Sequence, residues 1–280
     1  MRLFTALLFA PALLVGETNL EHGRRVIDQA VAALGGEKFL TVKDRVETGR
    51  AYSFYRERLT GLSIAKIYTR YYDDSADGEL KIKERQTFGK KEDVITLFDG
   101  KAGYQLTYRG AKPLEKERYD RYVMSTYRNI LYILRERLKE PGLIMEFKGT
   151  EVFENAPVDV VNLTDAQDNV IKVMFLSSTH LPIRQVFSHL DPETKERNEE
   201  VTRFTKYRDV GNGVQWPYNM LRERNGEKIF EIFSESVTVN NDLPDSFFQL
   251  PGDTKILEDE SKRPMVPLPS KTKEELKREK

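Results

Sequence analysis

The chain has 280 residues, with 45 Lys and Arg against 45 Asp and Glu, and it contains no cysteine. A net charge of zero removes the cationic surplus on which sequence-independent nucleic-acid binding depends. Without cysteine there are no disulfides, thiolate metal sites or thiol nucleophiles, and no lipobox at which a bacterial lipid anchor could be attached.

Met1-Arg2 followed by the apolar run from Leu3 to Gly16 reads as a secretory signal, with cleavage expected near Gly16. The run is too short to cross a bilayer core of about 30 Å as a helix, and Pro11 interrupts it. Its loss removes one positive charge, leaving 44 basic against 45 acidic residues. Residues 17–256 are expected to form one folded domain. From Leu257 the apolar content falls while Pro and charge rise, so residues 257–280 are expected to be a disordered tail.

Asn19 to Leu34 carries Val26, Ile27, Ala30, Val31 and Leu34 on one helical stripe, and Gly35-Gly36 ends it. The texture then changes to short runs rich in Tyr, Phe, Ile, Val and Thr: Arg45–Arg58, Leu62–Tyr72, Glu79–Phe88, Asp93–Phe98 and Ala102–Tyr108. These are expected to be strands in hairpin succession, with Asp77-Gly78 and Asp99-Gly100 at two of the turns. Pro113 to Lys139 has no internal Gly or Pro and predicts one long helix, stopped by Pro141-Gly142. Between Ile130 and Leu134 its apolar residues cover nearly the full circumference, so apolar material is expected on more than one side. Strand texture resumes over Leu143–Phe147, Val158–Leu163, Val170–Leu176, Pro182–His189, Glu199–Val210, Gly213–Glu223 and Lys228–Val239, with turns at Asp168-Asn169, Gly211-Asn212 and Asn225-Gly226.

The predicted fold class is therefore α+β and mainly antiparallel β, with about eleven strands, more than one flat sheet usually holds. Alternation along the strands gives each one apolar face, a pattern that two packed sheets would also satisfy. The all-round apolar helix favours one curled, unclosed barrel with a helical lid. On that reading Tyr52, Phe54, Ile64, Tyr68, Tyr104, Leu106, Ile130 and Leu134 are the expected apolar wall of a cavity.

Catalytic patterns are missing. His22, His180 and His189 occupy no metal-ligand spacing, and there is no GxSxG, GxxxxGK[ST] or GxGxxG. The acidic stretch Asp191, Glu193, Glu196, Glu199 and Glu200 is interleaved by Lys195 and Arg197, and reads as a solvated hairpin loop. No enzyme activity, metal or cofactor is expected.

Several segments resemble the LolA/LolB-like periplasmic lipoprotein-carrier superfamily: Val26 to Gly36, Phe98-Asp99-Gly100-Lys101-Ala102-Gly103-Tyr104, Leu181-Pro182-Ile183-Arg184, Val214-Gln215-Trp216-Pro217, Arg224 to Lys228, and Val239-Asn240 with Phe247-Phe248. The likeness runs from about Asn19 to Pro251 and is strongest to outer-membrane lipoprotein-sorting relatives. It implies an unclosed barrel with helices over its mouth, and a periplasmic carrier of the acyl chains of lipoproteins or lipids. A lipid-sensing regulatory protein of the same fold, or a lipid hydrolase, are the alternatives. The implied partners are an acyl-chain lipid or lipoprotein, an inner-membrane donor and an outer-membrane acceptor. The chain is expected to act as a monomer without nucleic acid, and the missing lipobox cysteine resembles the free carrier rather than an anchored acceptor. A strand arginine helps hold the lid of such carriers; Arg50 and Arg56 are candidates by type only.

Overall fold

The computed structural model describes residues 16–73, 79–190 and 195–257. The stretch before Gly16 read as a signal, the turn expected at Asp77-Gly78, the start of the expected acidic loop at Asp191 and Glu193, and the tail expected beyond Leu257 lie outside the described residues.

Helix α1 (Asn19–Leu34) begins with a capping box, in which Thr18 accepts from the Glu21 backbone N–H while the Glu21 carboxylate accepts from Thr18. Gly35, at φ 125°, ends it. The predicted stripe is the buried face: Val26, Ile27, Ala30 and Leu34 have essentially no exposure. At Gly23 the helix presses so closely on strand β7 (Ile144–Phe153) that a Cβ would overlap the Met145 carbonyl. A short helix, α2 (Glu37–Leu40), leads into the sheet.

Among the described residues thirteen strands form one antiparallel sheet. Its first part is β1 (Asp44–Tyr55), β2 (Arg58–Tyr71), β3 (Ile82–Phe88), β4 (Val94–Phe98), β5 (Gly103–Thr107) and β6 (Gly110–Pro113). After the helical segment come β7, β8 (Ala156–Thr164), β9 (Val170–Leu176), β10 (Pro182–Leu190), β11 (Arg197–Asp209), β12 (Gln215–Arg224) and β13 (Glu227–Val239). The order is β6-β5-β4-β3-β2-β1-β13-β12-β11-β10-β9-β8-β7, so two meanders join through β1 and β13, and the sheet remains open between β6 and β7. This is the curled, unclosed and mainly antiparallel architecture expected from the sequence. It has more strands than expected because β6 was not foreseen.

Two boundaries differ from the sequence reading. The first hairpin turns at Arg56-Glu57, both at positive φ, inside what reads as one strand. The long helix is broken: α3 (Lys116–Tyr127) stops at Arg128, and Asn129, in extended conformation, caps α4 (Ile130–Tyr132) by accepting from the Leu131 N–H at 2.9 Å. A wide π-helical turn, Ile133–Arg137, follows α4. All residues from Ile130 to Leu134 are buried, so the circumferential apolar run does find cover on every side.

The main core joins α1, α4 and the π turn to the inner face of the sheet through Phe175, Phe187, Phe204, Trp216 and Val237. The chain after β13 crosses the opposite face of β2 and β3, where Phe247 meets Tyr68 edge-on at 4.8 Å and Arg85 lies over the Phe247 ring. It then pairs beside the β6 edge, Ala111 N–H donating to Lys255 O at 2.9 Å. That strap covers an edge that would otherwise invite pairing with another chain.

Candidate functional site

The two halves of the broken helix are held very differently. Arg135 in the π turn donates to the carbonyls of Phe39, Leu40 and Val42, and Arg137 donates to Tyr127 O at 2.9 Å and pairs with Glu140 at 2.6 Å. By contrast, no residue of α3 is fully buried. Its ties to the sheet include Tyr122, stacked on Phe98 at 3.5 Å, Ser125, whose hydroxyl accepts from Arg222, and a partly buried patch of Val123 and Tyr127 against the Ile82 cluster. A firmly packed stem thus carries a loosely packed helix, with Arg128-Asn129 as the joint between them.

Beneath α3 lie two adjoining chambers. The inner one, about 190 Å³, is walled by Tyr71, Leu131, Trp216, Met220, Phe230 and Ile232, with Arg45, Thr69 and Glu84 among them. The outer one, about 490 Å³, runs between α3 and strands β10 to β12. Gln86, Tyr122, Ser125 and Arg222 belong to both.

Register shows which face looks inward, because antiparallel partners project to the same side. Arg45, Thr69, Glu84 and Phe98 form one inward row across β1 to β4. Val46, Tyr68, Arg85, Leu97 and Tyr104 form the neighbouring row on the other face. Of the expected wall residues, Tyr68 and Tyr104 therefore point away from the chambers. Leu106 is in the outward row with Ile95 and Thr87, and Ile64 and Tyr52 are in the outward rows with Arg50 and Leu62. Phe54 sits beyond a bulge near the β1–β2 tip, 5.1 Å below Lys228. Ile130 and Leu134 are inward but wholly enclosed in the core, while their neighbour Leu131 meets the chamber. The eight expected residues are not brought together. On the outward face Tyr68 seats the C-terminal strap through Phe247, while Leu62 and Ile64 of the same strand are exposed.

The wall is also more polar than expected. Arg45 and Glu47, 8% and 2% exposed, form a buried ion pair. Ser234 donates to Glu47, Arg45 donates to Thr69 at 2.9 Å, and the Arg45 guanidinium lies 4.2 Å from the Trp216 ring centre. Glu84 accepts from Gln86 and Thr69. Burial pushes the Glu84 carboxyl above the usual carboxylate range despite those hydrogen bonds and the nearby Arg45 cation. A raised carboxyl pKa means that the folded state holds the proton more tightly than the unfolded chain. Its contribution to stability is thus complete below the unfolded value near 4.5 and is lost as pH climbs through the folded value. Glu84→Gln is therefore expected to flatten the decline in urea midpoint from pH 4.5 upward; an identical decline in the variant would remove Glu84 as its source.

Neither Arg50 nor Arg56 touches the lid. Arg50 pairs on the surface with Glu235 at 3.0 Å, and Arg56 occupies the first hairpin turn. The strand arginine that reaches α3 is Arg222, which sequence reasoning missed. Its one available signal was an Arg alternating with apolar residues of β12, on the Trp216 and Met220 parity. Among the described residues no cluster of three or more His, Asp or Glu could hold a metal ion, and no helix is long and apolar enough to cross a membrane.

No protein-family model matches the chain, and no curated protein sequence matches it significantly. Solved structures do resemble its fold. A DUF1329 family protein from Desulfovibrio piger aligns with a TM-score of 0.56 at 11% identity, covering 83% of this chain and 98% of that one. A putative outer membrane lipoprotein-sorting protein domain from Vibrio parahaemolyticus gives 0.54 at 13% identity, over 82% and 97%. A LolA superfamily protein from Nitrosomonas europaea gives 0.50 at 10% identity, over 81% and 97%. The fold is LolA-like.

Proposed function

We propose that this protein is an exported carrier that takes the acyl chain of a lipid or lipoprotein into the chambers beneath α3 and delivers it toward the outer membrane. The observation that carries this reading is a chambered inner face covered by a helix that is jointed at Arg128-Asn129 and has no fully buried residue. The LolA-like fold and the signal-like start at Met1 to Gly16 support it.

The energetics suit a shuttle. Burying a sixteen-carbon chain is worth about 12 kcal/mol at about 0.8 kcal/mol per CH₂, but a bilayer offers the same gain. Transfer is therefore close to thermoneutral, and a lid whose opening alters affinity supplies direction. Swinging α3 about its joint breaks the Tyr122 stack and the Arg222–Ser125 bond and opens both chambers at once, while Arg135 and Arg137 keep the stem in place. No catalytic step is assigned to the site.

The reading is tested by titrating the mature chain with a neutral fluorescent monoacylglycerol. Saturable uptake of one probe per chain, with accelerated probe transfer between vesicles, is the expected result. Absence of uptake would overturn the proposal, and hydrolysis of the probe would replace it with an enzymatic one.

A further inference from the structure

We infer that the cavity is built for an amphiphile with an anionic headgroup, whose oxygens are held by Arg222 and Arg128 while its tail lies toward Met220, Phe230 and Ile232. This rests on the carrier reading and names its class of cargo.

The charge around the outer chamber is lopsided in a molecule with none overall. Five arginines line it, at 118, 121, 128, 222 and 224, against two carboxylates, Glu200 and Glu223. Both acids are already engaged, Glu200 with Arg224 at 3.5 Å and Glu223 with Arg203 at 3.6 Å. Arg222 and Arg128 have no carboxylate within 4 Å among the described residues. Arg222 donates to the uncharged Ser125 hydroxyl, and the Arg128 guanidinium carbon lies over the Phe187 ring, 3.8 Å from its centre. Burial pulls both guanidiniums below their ordinary pKa, the signature of cations whose lost hydration is not made good by an anion.

A guanidinium removed from water without a counter-charge is costly, and an arginine can take two oxygens of a carboxylate or phosphate side by side. An anionic headgroup at this place compensates Arg222 and Arg128 together. The inner chamber adds two further donors: Trp216 Nε1 and Arg45 Nε are buried and find no acceptor among the described residues. Arg222 stands at the boundary of the two chambers and pairs in register with Phe230, while Met220 pairs with Ile232 deeper in. A headgroup at Arg222 therefore places the first carbons of its tail against that apolar floor.

The test displaces the neutral monoacylglycerol probe from the mature chain with palmitate, palmitoyl lysophosphatidylglycerol and palmitoyl lysophosphatidylcholine. Either or both anionic competitors are expected to act at about tenfold lower concentration than the zwitterionic one, the difference between them showing whether a carboxylate or a phosphate is preferred. Arg222→Met and Arg128→Met should each shrink the ratio of anionic to zwitterionic potency, and Arg222→Lys, which keeps the charge, should retain most of it. Equal potency of all three competitors on the parent chain overturns the headgroup inference and leaves the carrier reading standing. A chain that takes up neither probe nor competitors overturns both.

Discussion

Glu47→Leu is expected to lower the free energy of unfolding by about 3–5 kcal/mol, because it removes the carboxylate paired with the Arg45 cation buried against Trp216 and leaves only Glu84 nearby, whose carboxyl burial pushes toward the neutral form. The pair sits where β1 meets β2 and β13, and Thr69 and Ser234 each add a hydrogen bond to it, leaving Arg45 Nε without an acceptor. The remaining hydroxyl of Thr69 cannot neutralise a guanidinium that is 8% exposed. Arg45→Met combined with Glu47→Leu removes both charges and replaces them with apolar groups of similar volume, so the double variant should recover most of the loss. Urea unfolding of the four chains of this double-mutant cycle reads the coupling directly. A single variant as stable as the parent would show that the pair contributes nothing to the junction of the two meanders.

The second large effect concerns which face of the sheet binds. Met220→Lys places an ammonium among Trp216, Phe230 and Ile232, and should weaken uptake of the neutral monoacylglycerol by about tenfold or more. Lysine is close to methionine in length and is repelled by Arg222, and Glu84, the carboxyl lining that chamber, is already hydrogen-bonded by Thr69 and Gln86. Ile64→Lys makes the same chemical change on the outward row, at a residue 42% exposed, and should leave uptake unchanged. Loss of uptake in Ile64→Lys with no loss in Met220→Lys would move the site to the other face.

That contrast also shows what the sequence could and could not convey. Periodicity was enough for α1, for the hairpin meanders and for a curled open sheet, because alternation and turn chemistry are local properties. Asp99-Gly100 and Asn225-Gly226 turn as their types predict, with Gly100 and Gly226 at positive φ. Arg56-Glu57 carries no such signal, and its left-handed turn is imposed by the pairing of β1 with β2 over nearly their whole length. The break in the long helix was visible only as Asn129, a residue that caps helices when its neighbours pack and otherwise passes as an ordinary helical position.

The wall residues were misplaced for a physical reason. An apolar row marks a face that is covered, not the thing that covers it. On β2 to β4 the C-terminal strap covers the face of Tyr68 and Leu97, so the conspicuous aromatic parity belongs to a structural contact. The inward face is less apolar because Arg45, Glu47, Thr69 and Glu84 solve one another's burial by pairing within β1 and across to β2 and β3, contacts that strand periodicity alone does not reveal. Arg222 is likewise invisible before folding, since its meaning depends on Ser125 standing opposite, 97 residues away.

The carrier account is tested most directly by native mass spectrometry of the mature chain, exported to the periplasm of a bacterial host and purified without detergent. It predicts a monomer carrying one acyl-chain lipid, released on organic extraction and identified in the extract, with the occupied fraction reduced in Met220→Lys and unchanged in Ile64→Lys. A chain recovered at its bare polypeptide mass, which then gains no mass when incubated with acyl-chain lipids, would contradict it.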